Sequence, residues 1–215
     1  MSDPLAAGKS ALKRGDYSIA FRAFSPLAKE GNAEAQTHLG SLYERGLGVF
    51  EDHEIALSWY EKSGKNGDAM GQHNAGVFYF EGRGVEKNYQ AAYEWFLRAT
   101  DSGYPPSEYM LGLMYHQGHG ISVNFERARL WFLKAAKQGY ANAQFMYAYM
   151  VQSGEGEKSD PPKAMVWALV SEKNGKSDSV AITVPASMTM TELEISTAER
   201  VANECYQSNY QNCPE

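Results

Sequence analysis

Trp59, Trp95, Trp131 and Trp167 are all the tryptophans in the chain, and they stand 36 residues apart. Glycine keeps the same period at Gly31, Gly67, Gly103, Gly139 and Gly175, as does alanine at Ala56, Ala92, Ala128 and Ala164. Paired glycines keep it too: Gly46 with Gly48, Gly82 with Gly84, Gly118 with Gly120, and Gly154 with Gly156. A fixed period changes the meaning of every residue in phase with it, because each copy is one supersecondary unit that buries its apolar face only against its neighbours. Four units follow without insertion at 32–67, 68–103, 104–139 and 140–175.

Within a unit, small and apolar residues recur at helical spacing. Ala35, Leu39, Leu42 and Tyr43 mark one segment, and Ile55, Ala56, Trp59 and Tyr60 the next, which predicts two helices per unit. The glycine pairs fall between them. Alone, GLGV at 46–49 is a weak phosphate-loop candidate, but GRGV, GHGI and GEGE hold the same phase, and neither a preceding strand nor a following GKS/T accompanies it. These pairs are read as turns, with glycine supplying a left-handed conformation and the variable Leu47, Arg83, His119 and Glu155 open to a partner. Asp52, Asn88, Asn124 and Asp160 are placed to cap the second helices, and Pro161 and Pro162 suit the first positions of the last one. Small residues at Gly40, Gly76, Gly112 and Ala148 let paired helices approach. Trp59–Tyr60, Trp95–Phe96 and Trp131–Phe132 supply bulk that one hairpin cannot bury alone. The expected fold is an all-α, right-handed superhelical solenoid. Each phased Trp is expected in the inter-repeat core, costing about 3–5 kcal/mol if cut to Ala.

Both ends vary the pattern. Residues 3–31 carry Gly8, a tight Gly15-Asp16-Tyr17 turn, and Ala20 and Phe24 in phase with Ala56 and Tyr60. Residues 176–190 show no helical period and are expected to be a loop. Thr191 and Glu194 match a capping box ahead of Ile195, Ala198, Val201, Ala202 and Cys205 on one face, so 191–215 is expected to hold a helix capping the stack and a tail.

The net charge of −6, with scattered basic residues, gives no footprint for nucleic acid or an anionic membrane surface. No apolar run approaches the ~20 residues of a bilayer span, and MSDPLAAGKSALKRGD lacks the apolar core of a signal peptide. A start at Met1-Ser2 suits either a cytoplasmic protein or a chain whose leader has been removed. Cys205 and Cys213, the only cysteines, suit a disulfide stapling the tail in a periplasmic or cell-envelope setting; two idle thiols are the alternative.

The stretch AEAQTHLGSLYERGLGVFEDHEIALSWYEKSGKNG resembles a Sel1-like repeat, four times over in residues 32–175. The segment 3–31 is closer to a tetratricopeptide repeat. The fourth unit departs from the pattern, with Ala148 for Gly, Val151 for Tyr, Glu157 for Val and Ala168 for the second aromatic, while Trp167 survives. The resemblance implies a protein-binding scaffold or adaptor, often bacterial and often in the cell envelope. Some members look like immunity proteins against secreted toxins, and a few have been described as β-lactam-hydrolysing.

In tetratricopeptide-like stacks the first helix of each pair lines the concave face. Its free positions form three columns: Thr37, His73, Tyr109 and Phe145; Ser41, Val77, Leu113 and Tyr149; Glu44, Phe80, His116 and Gln152. Only Glu44 is charged at neutral pH, where solvated helix positions would be mostly charged. Three readings stay open: packing against neighbouring helices, a protein or peptide groove, and a small-molecule pocket. The residues selected for protein binding are His73, Phe80, Tyr109, Leu113, His116, Phe145 and Tyr149. Catalysis is less well supported. His116 and His119 lack further ligands to complete a metal set, Ser41, Ser58 and Ser63 have no partnered His and carboxylate at a convincing position, and no GxSxG elbow occurs. No catalytic, metal or cofactor site is assigned. The expected function is a non-enzymatic module that binds another protein or peptide, with a toxin-neutralising immunity protein and a hydrolase as alternatives.

Overall fold

The computed structural model describes residues 3–215, so the Met1-Ser2 start lies outside the described residues. Every regular element among those residues is helical. The chain forms two compact units, Met1–Tyr104 and Pro105–Glu215. The first holds α1 (Pro4–Arg14), α2 (Tyr17–Lys29), α3 (Ala33–Glu44), α4 (His53–Lys65), α5 (Ala69–Glu81) and α6 (Tyr89–Thr100). The second holds α7 (Pro105–Gln117), α8 (Phe125–Ala136), α9 (Ala141–Ser153), α10 (Pro161–Lys173), a short 3₁₀ turn (Ser177–Ser179), α11 (Val180–Ser187) and α12 (Glu192–Gln207). Within each unit helices pack against their sequence neighbours as hairpins, and at the end α10 receives both α11 and α12. None of the described helices is long and apolar enough to cross a membrane.

Local chemistry sets the helix ends. Asp52, Asn88, Asn124 and Asp160 each accept a hydrogen bond from the backbone N–H three residues on, and Thr191 with Glu194 closes a reciprocal capping box. Asn32 and Asp68 cap α3 and α5 in the same way.

The two glycines of each turn do different work. Gly82 and Gly154 end α5 and α9 in the left-handed region, at φ +76° and +77°. Gly48, Gly84 and Gly156 lie against the backbone that opens the second helix of the preceding hairpin. A Cβ on Gly84 would stand 2.5 Å from the carbonyl carbon of His53.

The core is built from glycine–aromatic contacts. A Cβ on Gly40, Gly76 or Gly112 would meet the ring of Tyr60, Phe96 or Phe132 at 2.8, 2.6 or 2.5 Å, so each ring lies directly on the facing backbone. Gly8 faces Phe24 in the same way. The fourth repeat exchanges the sizes: Ala148 faces a helix carrying Ala168, and buried Tyr147 meets Trp167 edge to face at 5.5 Å.

Two expectations change. The tryptophans are not equally buried: Trp167 is 0% and Trp95 7% exposed, whereas Trp59 and Trp131 are only half-buried. Tyr60, Phe96 and Phe132 occupy the hairpin interior instead, because they face the glycines. Cations three residues on cover the outer tryptophans, Lys62 at 4.3 Å from Trp59 and Lys134 at 5.1 Å from Trp131. Residues 176–190, expected as a loop, contain the 3₁₀ turn and α11. Pro185 and the segment's shortness hide that helix from periodicity. Burial of Ile182 and Ala186, with Ser179 Oγ at 2.9 Å from Ser171 Oγ, anchors the segment.

Cys205 and Cys213 are joined in a disulfide. The chain beyond α12 folds back onto the last repeat. Trp167 Nε1 donates to Pro214 O at 2.8 Å, Lys163 Nζ to Glu215 O at 3.0 Å, and Tyr210 Oη to Asn174 Oδ1 at 2.9 Å.

Candidate functional site

The selected aromatic residues fall into two sets. In the first unit, His73 and Phe80 both stand beside Phe96, at ring distances of 5.5 and 6.5 Å. His73 also meets Tyr104 at 5.4 Å, and Phe80 meets Tyr89 at 5.1 Å. Burial holds the His73 imidazole neutral, with a pKa lowered to about 4.

In the second unit, Tyr109 and His116 flank Phe132 at 5.6 and 6.5 Å, and Tyr109 meets Tyr140 at 5.4 Å. Burial, then the neighbouring Tyr140, raises the Tyr109 pKa above its ordinary value. Leu113 is half-buried between them in sequence on α7. On α9, Phe145 is half-buried with Lys176 Nζ 5.3 Å from its ring centre, and Tyr149, one turn later, is 42% exposed. The half-buried rings thus pack partly on the hairpin interior, while Tyr149 offers the most open aromatic face of the seven.

The third column has a role not evident from sequence. Glu44 accepts a hydrogen bond from Tyr60 Oη at 2.5 Å and from Arg83 Nη1 and Nη2 at 2.6 and 2.8 Å. Burial and this carboxylate push the Tyr60 hydroxyl far above its usual pKa. One period pair later, His116 Nε2 lies 2.7 Å from Glu155 Oε2. In both cases a third-column residue meets the residue 39 positions on, the middle of the next glycine pair. Arg83 and Glu155, read from sequence as open to a partner, are therefore engaged within their own units. Leu47 packs on the N-terminal core, and His119 Nε2 lies 2.8 Å from Gln117 Oε1.

A second phased network joins repeats below the surface. The Nε2 groups of Gln36, Gln72 and Gln144 donate to the carbonyls of Ala28, Gly64 and Ala136, and Asn66 and Asn174 donate to the side-chain oxygens of Gln36 and Gln144. At the third position the chain has Glu108, fully buried, with Gln138 Nε2 at 2.6 Å and Lys134 Nζ at 3.0 Å. Burial raises the Glu108 pKa, against the lowering effect of Lys134. Ser63 is likewise committed to structure: its Oγ donates to Ala33 O at 2.7 Å and lies 3.1 Å from Asp68 Oδ2, the oxygen that caps α5.

The Sel1 repeat profile matches residues 33–68, 69–104, 105–140 and 141–175. The chain belongs to the Sel1-repeat family. Its 36-residue hairpins and their glycine–aromatic contacts are thus the Sel1 repeats themselves. Among solved structures, this Sel1-repeat chain is similar to a Sel1 repeat protein from Oxalobacter formigenes, at 27% identity and a TM-score of 0.79, over 98% of this chain and 86% of that one. It is also similar to c5321, a protective antigen present in uropathogenic Escherichia coli strains displaying an SLR fold, at 29% identity and a TM-score of 0.86. That match covers 96% of this chain and 45% of c5321. Immunity protein Pa5087 from Pseudomonas aeruginosa shares the fold at 21% identity and a TM-score of 0.53, over 93% of this chain and 77% of that one. A search of curated protein sequences found no match. Sel1-repeat proteins are generally protein-interaction scaffolds.

Proposed function

We propose that this Sel1-repeat protein is a non-enzymatic module that binds another protein, using first-helix side chains of the Pro105–Glu215 unit. The observation that supports the reading is Tyr149, an aromatic side chain 42% exposed on α9 one turn from Phe145. Tyrosine supplies large contact area at low conformational cost and is enriched among residues that dominate binding energy. Helices packed in a hairpin hold such a side chain in place before binding, which limits the ordering cost. Affinity capture from the native host tests the reading. Wild type is expected to retain a protein that Phe145→Ala/Tyr149→Ala loses, while both keep the same helical circular dichroism. Equal retention would overturn it.

A second reading, neutralisation of a secreted toxin, is motivated by the shared fold with immunity protein Pa5087. It expects tight binding to a toxin encoded nearby and loss of that toxin's activity. The Cys205–Cys213 disulfide supports placement in an oxidising compartment such as the periplasm or cell envelope. Two reactive thiols in protein isolated from the host would count against it.

A further inference from the structure

The C-terminal end of the molecule carries a cleft of about 490 Å³ between α10, α12 and the folded-back tail. Its walls are apolar, from Val166 on α10, Ala198 and Val201 on α12, and Pro214 on the tail. Leu193 lies at its edge, 76% exposed, a large apolar side chain left to solvent beside an apolar cleft. The volume falls within the range of pockets that enclose small ligands or a few side chains.

The charge around the cleft identifies the occupant it suits. Asp160, Glu194 and Glu215 line it together with a single cation, Lys163. That cation is shared between Glu157 at 3.0 Å and Asp160 at 4.0 Å and donates to Glu215 O, and Lys137 pairs with the Glu215 carboxylate. The rim carboxylates outnumber these two cations, so the rim stays net acidic, with Glu194 outside these ion pairs. Glu194 accepts hydrogen bonds from both the N–H and the hydroxyl of Thr191, which favours its ionised form. An acidic rim over apolar walls is complementary to a segment with apolar anchors flanked by lysine or arginine.

We infer that this cleft docks a basic amphipathic segment of another protein, with an apolar side chain against Val166 and Val201 and its cations at Asp160 and Glu194. The surface is separate from the first-helix aromatics of the proposed function, and it depends on a distinct structural device. The Pro214 wall is held by the Cys205–Cys213 disulfide and by the hydrogen bond from Trp167 Nε1. Reduction by a dithiol, which is oxidised to its own disulfide as it passes two electrons and two protons to the bridge, gives two thiols, frees that wall and weakens docking.

A fluorescein-labelled helical peptide of leucine and lysine, titrated against the oxidised protein by fluorescence anisotropy, tests the inference, with a leucine and glutamate peptide as its counterpart. Leu193 and Thr197 are exposed on α12, so Leu193→Ser and Thr197→Lys leave the fold intact, which circular dichroism verifies. The leucine–lysine peptide is expected to bind wild type, and each variant to weaken it by about tenfold or more. Reductant, or Cys213→Ser, is expected to weaken it as well, while Phe145→Ala/Tyr149→Ala leaves it unchanged. No binding to wild type, equal binding of the glutamate peptide, or binding indifferent to Leu193→Ser and Thr197→Lys would overturn the docking site. Binding indifferent to reduction would overturn the role of the tail wall. Equal host-protein capture by wild type and Phe145→Ala/Tyr149→Ala, with peptide binding intact, would remove the first-helix reading and leave this one standing.

Discussion

Gly84 and Gly67 both adopt positive φ, at +65° and +89°, yet their surroundings differ. A Cβ on Gly67 would meet nothing within 4 Å, whereas one on Gly84 would enter the backbone at His53–Glu54. Gly67→Ala is therefore expected to cost only the left-handed penalty, about 1–2 kcal/mol. Gly84→Ala adds a steric cost of about 1–3 kcal/mol for displacing one hairpin from the next. Urea unfolding of the two variants measures the difference, and equal losses would count against the close approach. His73 gives a pH prediction. Its folded pKa of about 4 lies below the ordinary value of 6.5, so between these limits the unfolded chain binds more protons and acidification destabilises the fold. The loss through this window is no more than about 3 kcal/mol for a shift of this size. His73→Phe, which keeps an aromatic ring beside Phe96, is expected to lose less stability than wild type between pH 7 and pH 4. Parallel urea titrations at the two pH values check it.

At the scale of helices and hairpins, the period made the pairs from α3 to α10 legible, because periodic glycines, caps and apolar positions agree on one register. The distribution of burial was less legible. Adjacent aromatics such as Trp131 and Phe132 carry the same apolar signal in sequence, and only the facing Gly112 distinguishes the inward ring from the outward one. Phe132→Ala is expected to cost about 3–5 kcal/mol and Trp131→Ala clearly less, the reverse of what residue size suggests. Thermal unfolding of the two variants tests the order. The helix α11 was hidden because its stability comes from tertiary burial of Ile182 and Ala186 rather than from a repeating stripe. Among the seven selected side chains, helical spacing located the half-buried aromatics but could not show that Phe96 and Phe132 would occupy part of their faces. The pairs 39 residues apart were invisible for a related reason: a polar residue reads as solvated until the next turn is known to lie over it.

Across the molecule, the tail ties chemistry at the C-terminal end to the fourth repeat. The Cys205–Cys213 bridge separates its cysteines by 8 residues and restrains the segment that meets Trp167, Lys163 and Asn174. Reduction is expected to lower stability by about 2–3 kcal/mol on the chain-entropy estimate for a loop of this length. Denaturation with and without a phosphine reductant measures it, and unchanged stability would show that the tail does not support the fold. The pairing of Glu44 with Arg83 and of His116 with Glu155 has a consequence for ancestry. Repeats that arose by duplication began with identical edges, but these now differ in charge. Exchanging segment 69–104 with 141–175 would set Glu155 against Glu44 and Arg83 against His116. Each of these two repeats therefore carries an address, written in the charge that its turn presents to the edge before it.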